Sequence, residues 1–275
     1  MRMSRIQIAI AGMLALCLAA CQSLLPPAGA GADARLQSIL DTGELRVGVA
    51  ANLPPLSMKD KQGRIIGLEI DLVEALGAAM GLEVVLVEMQ FAELLPTLER
   101  GGVDLVISGL TITPERNARV AFAGPYFISG TSLLARSEEI ANVASPDELN
   151  APNRTYVAMA GTTSETFVLE MLPRAKLIVT QDNQTGAQLV ISGKADALIA
   201  DLHVCNFAMW RNPDADLHTM RTPFTIDPLG IALPADAPLL LNLVDNYLTT
   251  LENTGLLGQY KAKWLADGSW LTQLP

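Results

Sequence analysis

Leu98-Glu99-Arg100-Gly101-Gly102-Val103-Asp104-Leu105-Val106-Ile107-Ser108-Gly109-Leu110 is the stretch on which the fold is decided. Residues 94–99 carry the apolar spacing of a helix, and residues 103–108 are an aliphatic, β-rich run. The spacing of Gly101, Asp104, Ile107 and Leu110 returns in Gly193, Asp196, Ile199 and Leu202, each pair separated by 92 residues. A repeated supersecondary unit of this kind predicts two similar α/β lobes in one chain.

Working outward, residues 45–49 and 83–87 read as further strands of the first half, with a helix over residues 71–80. In the second half residues 155–159, 176–179 and 195–200 read as strands, with helices over 165–172 and 186–192. Strands that alternate with helices imply parallel βαβ units. In open α/β sheets ligands gather beyond the carboxyl ends of the strands. The repeat therefore places Ser108-Gly109 and Ala200-Asp201 at equivalent strand ends, able to face each other across a cleft.

Polar groups suited to a zwitterion cluster at those ends. Thr113 fits a helix N-cap and Pro114 the first helical position, which puts Arg116 in the first turn. A cation is disfavoured there by the helix dipole, so Arg116 wants an anion, and a guanidinium grips a carboxylate through two parallel hydrogen bonds. The plain alternative is a surface arginine paired with Glu115 or solvent. Gly161-Thr162-Thr163-Ser164-Glu165 opens a helix with capping-box spacing between Thr162 and Glu165, and its free amides suit an anion. Such a helix start is also commonplace. Asp201 is acceptor-only when ionised and suits an ammonium, or else a helix N-cap or turn.

At these residues the chain resembles family 3 of the bacterial extracellular solute-binding proteins, the polar amino-acid receptors of ABC importers. Gly67-Leu68-Glu69-Ile70-Asp71-Leu72 is similar to the family's Gly-Phe-Asp-x-Asp-Leu signature. Ser108 to Arg116, then Phe122-Ala123-Gly124-Pro125-Tyr126, resembles its most specific block, and Gly161-Thr162-Thr163, residues 196–201 and Gly230-Ile231-Ala232 follow in order. The resemblance implies a type II periplasmic-binding-protein fold of two lobes, each a sheet flanked by helices, joined by two hinge crossings. Lobe 1 would comprise residues 35–128 and 228–275, and lobe 2 residues 129–227. It further implies that Arg116 binds a ligand carboxylate, helped by Ser108, Gly109, Leu110, Thr111, Gly161, Thr162 and Thr163, while Asp201 receives the ammonium. Relatives often carry an aromatic lid and a second wall aromatic. Here the lid stretch is Asn52-Leu53-Pro54-Pro55-Leu56, with Leu53 in the aromatic place, and Phe91 holds the wall position. Leu53 offers no π-face to a guanidinium or imidazole. Ala50, Ala51 and Met159 bring no charge, so a neutral ligand is expected.

The ends and the composition set the remaining bounds. Arg2 and Arg5 precede an apolar run over residues 8–20 that is too short to span a bilayer, so residues 1–20 read as a signal peptide. Leu18-Ala19-Ala20 before Cys21 resembles a lipobox, which implies cleavage and lipidation at Cys21 and attachment to a bilayer. An ordinary secretory signal is the alternative. Residues 21–34 read as a tether. Removing the signal leaves 17 basic and 29 acidic residues, a net charge of −12, which excludes electrostatic attraction to nucleic acid. Cys205 is the one cysteine outside the processed end, so no intramolecular disulfide forms and a buried thiol is expected. His203 and His218 stand at no metal-ligand spacing; neither a metal nor a cofactor is expected.

The expected function is capture of an amino acid by an exported, monomeric, lipid-anchored receptor that delivers it to an ABC permease. Two alternatives remain. The first is a cyclohexadienyl or arogenate dehydratase, whose resemblance calls for a glutamate shortly after Asp201, where this chain has Leu202-His203-Val204-Cys205. The second is a ligand-sensing module for a membrane receptor.

Overall fold

The structure, a computed structural model, describes residues 34–266 and 268–274. The predicted signal peptide and Cys21 lie outside the described residues. Helix α1 (Ala34–Thr42) leads into β1 (Glu44–Val49), a small three-stranded sheet of β2 (Asn52–Leu53), β3 (Ser57–Lys59) and β4 (Ile65–Ile66), then α2 (Leu68–Met80) and β5 (Glu83–Glu88). There follow α3 (Leu94–Glu99), β6 (Leu105–Val106), α4 (Pro114–Asn117) and β7 (Ala121–Ser129). The chain then crosses into β8 (Thr131–Ala135), α5 (Glu138–Ala141), β9 (Thr155–Met159), α6 (Thr163–Met171), β10 (Lys176–Thr180), α7 (Asn183–Ile191), β11 (Ala197–Asp201), α8 (Leu202–Arg211) and β12 (His218–Thr219). It returns through β13 (Asp227–Leu233) to α9 (Pro238–Asn253) and α10 (Leu256–Lys261).

Two five-stranded sheets result, with orders β5-β1-β6-β13-β7 and β10-β9-β11-β8-β12. In each, the first three strands are parallel, as the alternation of strands and helices predicts, because each is reached through a helix on the sheet face. The fourth strand of each sheet, β13 or β8, runs antiparallel to both its neighbours, which the alternation does not predict. Those strands carry the crossings: β7 ends the first sheet's run, and β8 and β13 are the strands by which the chain enters the other sheet. The architecture is the two-lobe, mixed α/β type II arrangement.

The repeat has a structural basis. Gly101 and Gly193 hold φ of 73° and 71° after their helices. Asp104 accepts the Arg46 N–H at 2.8 Å and pairs with the Arg46 guanidinium at 2.6 Å. Asp196 accepts the Thr155 N–H at 2.7 Å and pairs with Arg154 at 3.1 Å. In both lobes one carboxylate thus fixes the start of the first strand against the third. That satisfies a backbone amide and neutralises an arginine in the same contact.

The aliphatic face of each sheet is buried beneath its helices. In α9 the buried residues Leu240, Val244, Leu248 and Leu251 recur every three or four positions, the stripe expected of a helix packed on one side. Among the described residues no helix is long and apolar enough to cross a membrane.

The two crossings run side by side. Asp227 of β13 is paired in register with Ser129 of β7. Its buried Oδ2 accepts hydrogen bonds from the hydroxyls of Thr131, at 3.1 Å, and Thr225, at 2.8 Å. The Thr225 hydroxyl in turn accepts the Thr131 N–H at 2.8 Å. One carboxylate ties both strands where they pass between lobes.

Candidate ligand-binding site between the lobes

Beyond the carboxyl end of β6 the chain turns at Gly109, with φ of 61°, and runs as residues 110–112 beside β13. Gly230 N–H donates to the Leu110 carbonyl at 3.0 Å and Ile112 N–H to the Pro228 carbonyl at 2.8 Å. The turn is held from behind by Glu69. Its Oε1 accepts the Gly109 N–H at 2.6 Å and the Tyr126 hydroxyl, all inside the protein. Burial pushes the Glu69 carboxyl up from the usual carboxylate range, while the Tyr126 and Gly109 donors pull it down.

Thr113 is the N-cap of α4 and accepts the Arg116 N–H at 3.2 Å, with Pro114 at the first helical position, as the sequence predicts. The Arg116 guanidinium donates from Nη1 to the Thr111 carbonyl at 3.0 Å and from Nη2 to the Gly161 carbonyl of the other lobe at 3.1 Å. It stands 5.9 Å from the centre of the Phe91 ring. Two of its five N–H groups are so used, and the fork retains donors for an anion. Burial lowers its pKa, opposed by Asp201, Glu115 and Asp227.

In the second lobe Gly161 follows β9, and Thr162 caps α6, accepting the Glu165 N–H at 3.2 Å. The Glu165 carboxylate accepts from Gly161 N–H at 2.7 Å, one residue before the N-cap, a variant of the expected capping box. Gly161 has φ of 75°, and a Cβ there would lie 3.1 Å from the Ala92 Cβ across the lobe gap. Thr111 and Thr163 hydroxyls stand 3.5 Å apart across the same gap. These contacts describe lobes closed on each other.

Asp201 ends β11 and is the N-cap residue of α8, yet its side chain caps nothing. Its Oδ1 is buried without a hydrogen-bond partner among the described residues. Burial, and then the nearby Asp227, push its pKa up to about 7, against the Ser129 hydroxyl and Arg116, which pull it down. An orphaned buried acceptor costs about 1–3 kcal/mol, so the site is built to receive a donor.

Eight of the sequence-predicted residues line this one cleft: Leu53, Phe91, Gly109, Thr111, Arg116, Thr162, Thr163 and Asp201. Four do not. Ser108 is fully buried and its hydroxyl accepts the Ala50 N–H at 3.0 Å. Leu110 is packed into the core, Gly161 lies at the outer mouth of the cleft, and Asn52 lines a neighbouring cavity. Sequence reasoning missed Asn183; Ser164 and Ala200, which it named in the helix start and at the strand end, also line the cleft. Asn183 had a usable signal, since it opens a helix just beyond the carboxyl end of β10.

His203 is turned away from the cleft. Its Nδ1 lies 3.1 Å from the Ser129 hydroxyl, its ring meets Phe127 edge-on, and burial drives its pKa down to about 4. Cys205 is buried, its thiol pushed up to about 12.

Comparison with known proteins finds relatives of the same two-lobe architecture. The chain is 28% identical to the cyclohexadienyl dehydratase of Pseudomonas aeruginosa, over 90% of this chain and 92% of that protein. It is 27% identical to ABC transporter arginine-binding protein 1 of Escherichia coli, over 80% and 90%. Among solved structures, the ancestral amino acid-binding protein AncCDT-1, a precursor of cyclohexadienyl dehydratase, superposes with a TM-score of 0.76 at 35% identity, covering 83% of this chain and 98% of that one. Residues 45–267 match the family described as bacterial extracellular solute-binding proteins, family 3. With that match spanning most of its length and the two-lobe cleft in place, the chain belongs to the family 3 extracellular solute-binding proteins.

Proposed function

We infer that this protein captures an α-amino acid between its lobes and delivers it to an ABC importer. The observation that carries the reading is the unpartnered, buried Oδ1 of Asp201 in the same cleft as the Arg116 guanidinium. A zwitterion offers the ammonium that the one lacks and the carboxylate that the other grips. Thr111, Thr162 and Thr163 supply further polar contacts, while Leu53 and Phe91 give apolar walls. Lipidation at Cys21 would hold the exported chain at a membrane.

Calorimetry with a panel of amino acids tests the reading. Arg116→Lys keeps the charge but loses the two-pronged contact, and should weaken every α-amino acid by about thirtyfold, roughly 2 kcal/mol. Unchanged affinity removes Arg116 from the site. For the anchor, Cys21→Ser should release the exported protein from washed membranes; continued association there contradicts lipidation.

A second reading, a dehydratase, is favoured by the Pseudomonas aeruginosa relative and by an Asp201 carboxyl poised near neutral pH, the range that suits a general acid. Against it, Val204 stands where the resemblance calls for a glutamate, and His203 faces away from the cleft. Turnover of prephenate or arogenate by the purified protein, lost in Asp201→Asn, would establish it.

A further inference from the structure

The imidazole of His203, turned from the Arg116–Asp201 cleft, helps to wall a separate cavity of about 300 Å³ beside the crossings. The two spaces have no lining residue in common. To this one the end of β7 brings Phe127, Ile128 and Ser129, while α8 brings His203, Asn206 and Trp210, spaced three and four apart so that they share one helix face. Trp210 and Ile128 line it and are nevertheless each 54% exposed, an apolar rim left in water.

The lining is uncharged and aromatic, with hydrogen-bonding capacity left over. It includes no aspartate, glutamate, lysine or arginine, in a chain that is 17% charged, and burial keeps His203 neutral at neutral pH. The Ser129 hydroxyl engages His203 Nδ1 at 3.1 Å, but Nε2 is buried without a partner, and the Asn206 carboxamide makes no side-chain hydrogen bond among the described residues. An ion entering this space would shed water without compensation, which excludes the zwitterion that suits the cleft. A flat, uncharged molecule of one or two rings fills the volume against Phe127 and Trp210, and one donor or acceptor on it pairs with the Asn206 amide.

We propose that this cavity is a second ligand site, for a small uncharged aromatic molecule bearing one hydrogen-bonding group, and that its occupancy favours closed lobes. The linkage follows from where the walls come from. β7 belongs to the first sheet and α8 to the second lobe, so the shape of the cavity belongs to one arrangement of the two. A molecule that fits the closed shape binds that state better and shifts the population toward it.

Calorimetry of the purified, amino-acid-free protein with indole, 1-methylindole and indole-3-carboxylate tests the site. Indole should bind one molecule per chain; 1-methylindole, which lacks the N–H, should bind about threefold more weakly or worse, and the carboxylate should not bind measurably. Asn206→Leu, which drops the amide at similar volume, should weaken indole to the level of 1-methylindole and leave 1-methylindole unchanged. Trp210→Ala should weaken both. Neither side chain is buried, so both variants should fold, which thermal melting checks. Backbone amide shifts on adding indole should centre on residues 127–129 and 203–210. Shifts centred on Arg116 and Asp201 overturn the site, as does equal affinity for indole and its carboxylate, or indole binding untouched by both substitutions. Small-angle scattering should give a smaller radius of gyration with indole bound, and an unchanged radius overturns the linkage to closure. No readout needs an amino acid in the cleft, so this inference and the amino-acid reading fail separately.

Discussion

Asp201 carries the sharpest pH signature in the molecule. Its carboxyl titrates near 7 in the free protein because burial and Asp227 disfavour its charge more than Arg116 and Ser129 restore it. An ammonium needs the ionised form, so below about pH 7 binding must first expel a proton. Affinity for an α-amino acid should therefore fall about tenfold between pH 8 and pH 6. Asp201→Asn should bind more weakly and show a flat profile over that interval; calorimetry at the two pH values reads the difference. Arg116 and Asp201 were legible because each breaks a local habit: a cation in a helix's first turn and an acid at a strand's end. Asn52 was read in the lid stretch as part of the cleft, whereas it lines the neighbouring cavity with residues of α7 and α8, a placement that exists only once the lobes have packed. Ser108 misled for a related reason. A serine at a strand end reads as a ligand donor, yet a nearer backbone amide, that of Ala50, had the prior claim on its hydroxyl.

The β9–Gly161–α6 junction shows how one element edge sets closure. Gly161→Ala adds about 1 kcal/mol of left-handed backbone strain wherever the lobes stand. It also presses a methyl against Ala92, a contact belonging to the closed form alone. The variant should unfold a few degrees lower and bind ligand several-fold more weakly, measured by thermal melting and calorimetry; melting lowered with affinity unchanged would show that Ala92 yields. Periodicity found the parallel core, down to β9 at residue-level agreement, because those strands are aliphatic runs between amphipathic helices. It placed residues 103–108 as a full strand, whereas β6 spans only Leu105–Val106: beyond Val106 the backbone gives one more N–H, from Ile107 to the Gly48 carbonyl, and then turns at Gly109. It passed over β7, β8 and β13. β7 pairs with β13 across about a hundred positions, and β8 with β11 across 62 to 70, and no local period encodes that.

For the molecule as a whole, closure has a clasp outside the Arg116–Asp201 cleft. Phe207 of α8 stacks on Trp270 of the C-terminal segment, ring centres 6.0 Å apart and 18° from parallel. Trp270 packs in turn on Trp264, whose indole N–H donates to Asp71 at 2.7 Å. Such a ring pair contributes about 0.5–1.5 kcal/mol beyond the area it buries. Phe207→Ala should shift the ligand-free molecule toward open lobes and weaken every ligand by a common factor of about two to ten. Tryptophan fluorescence and small-angle scattering read the shift, and a selective loss for one ligand would place Phe207 in recognition instead.

The paired crossings at Ser129 and Asp227 have a mechanical consequence. A single connecting strand would let one half swivel on it like a ball joint. Two strands laced together by one carboxylate resist torsion and sliding, and they leave a single bending axis. The guanidinium and the carboxylate therefore return to the same mutual alignment at every stroke, so a docking surface spread over both halves would be presented to a membrane partner in one reproducible shape.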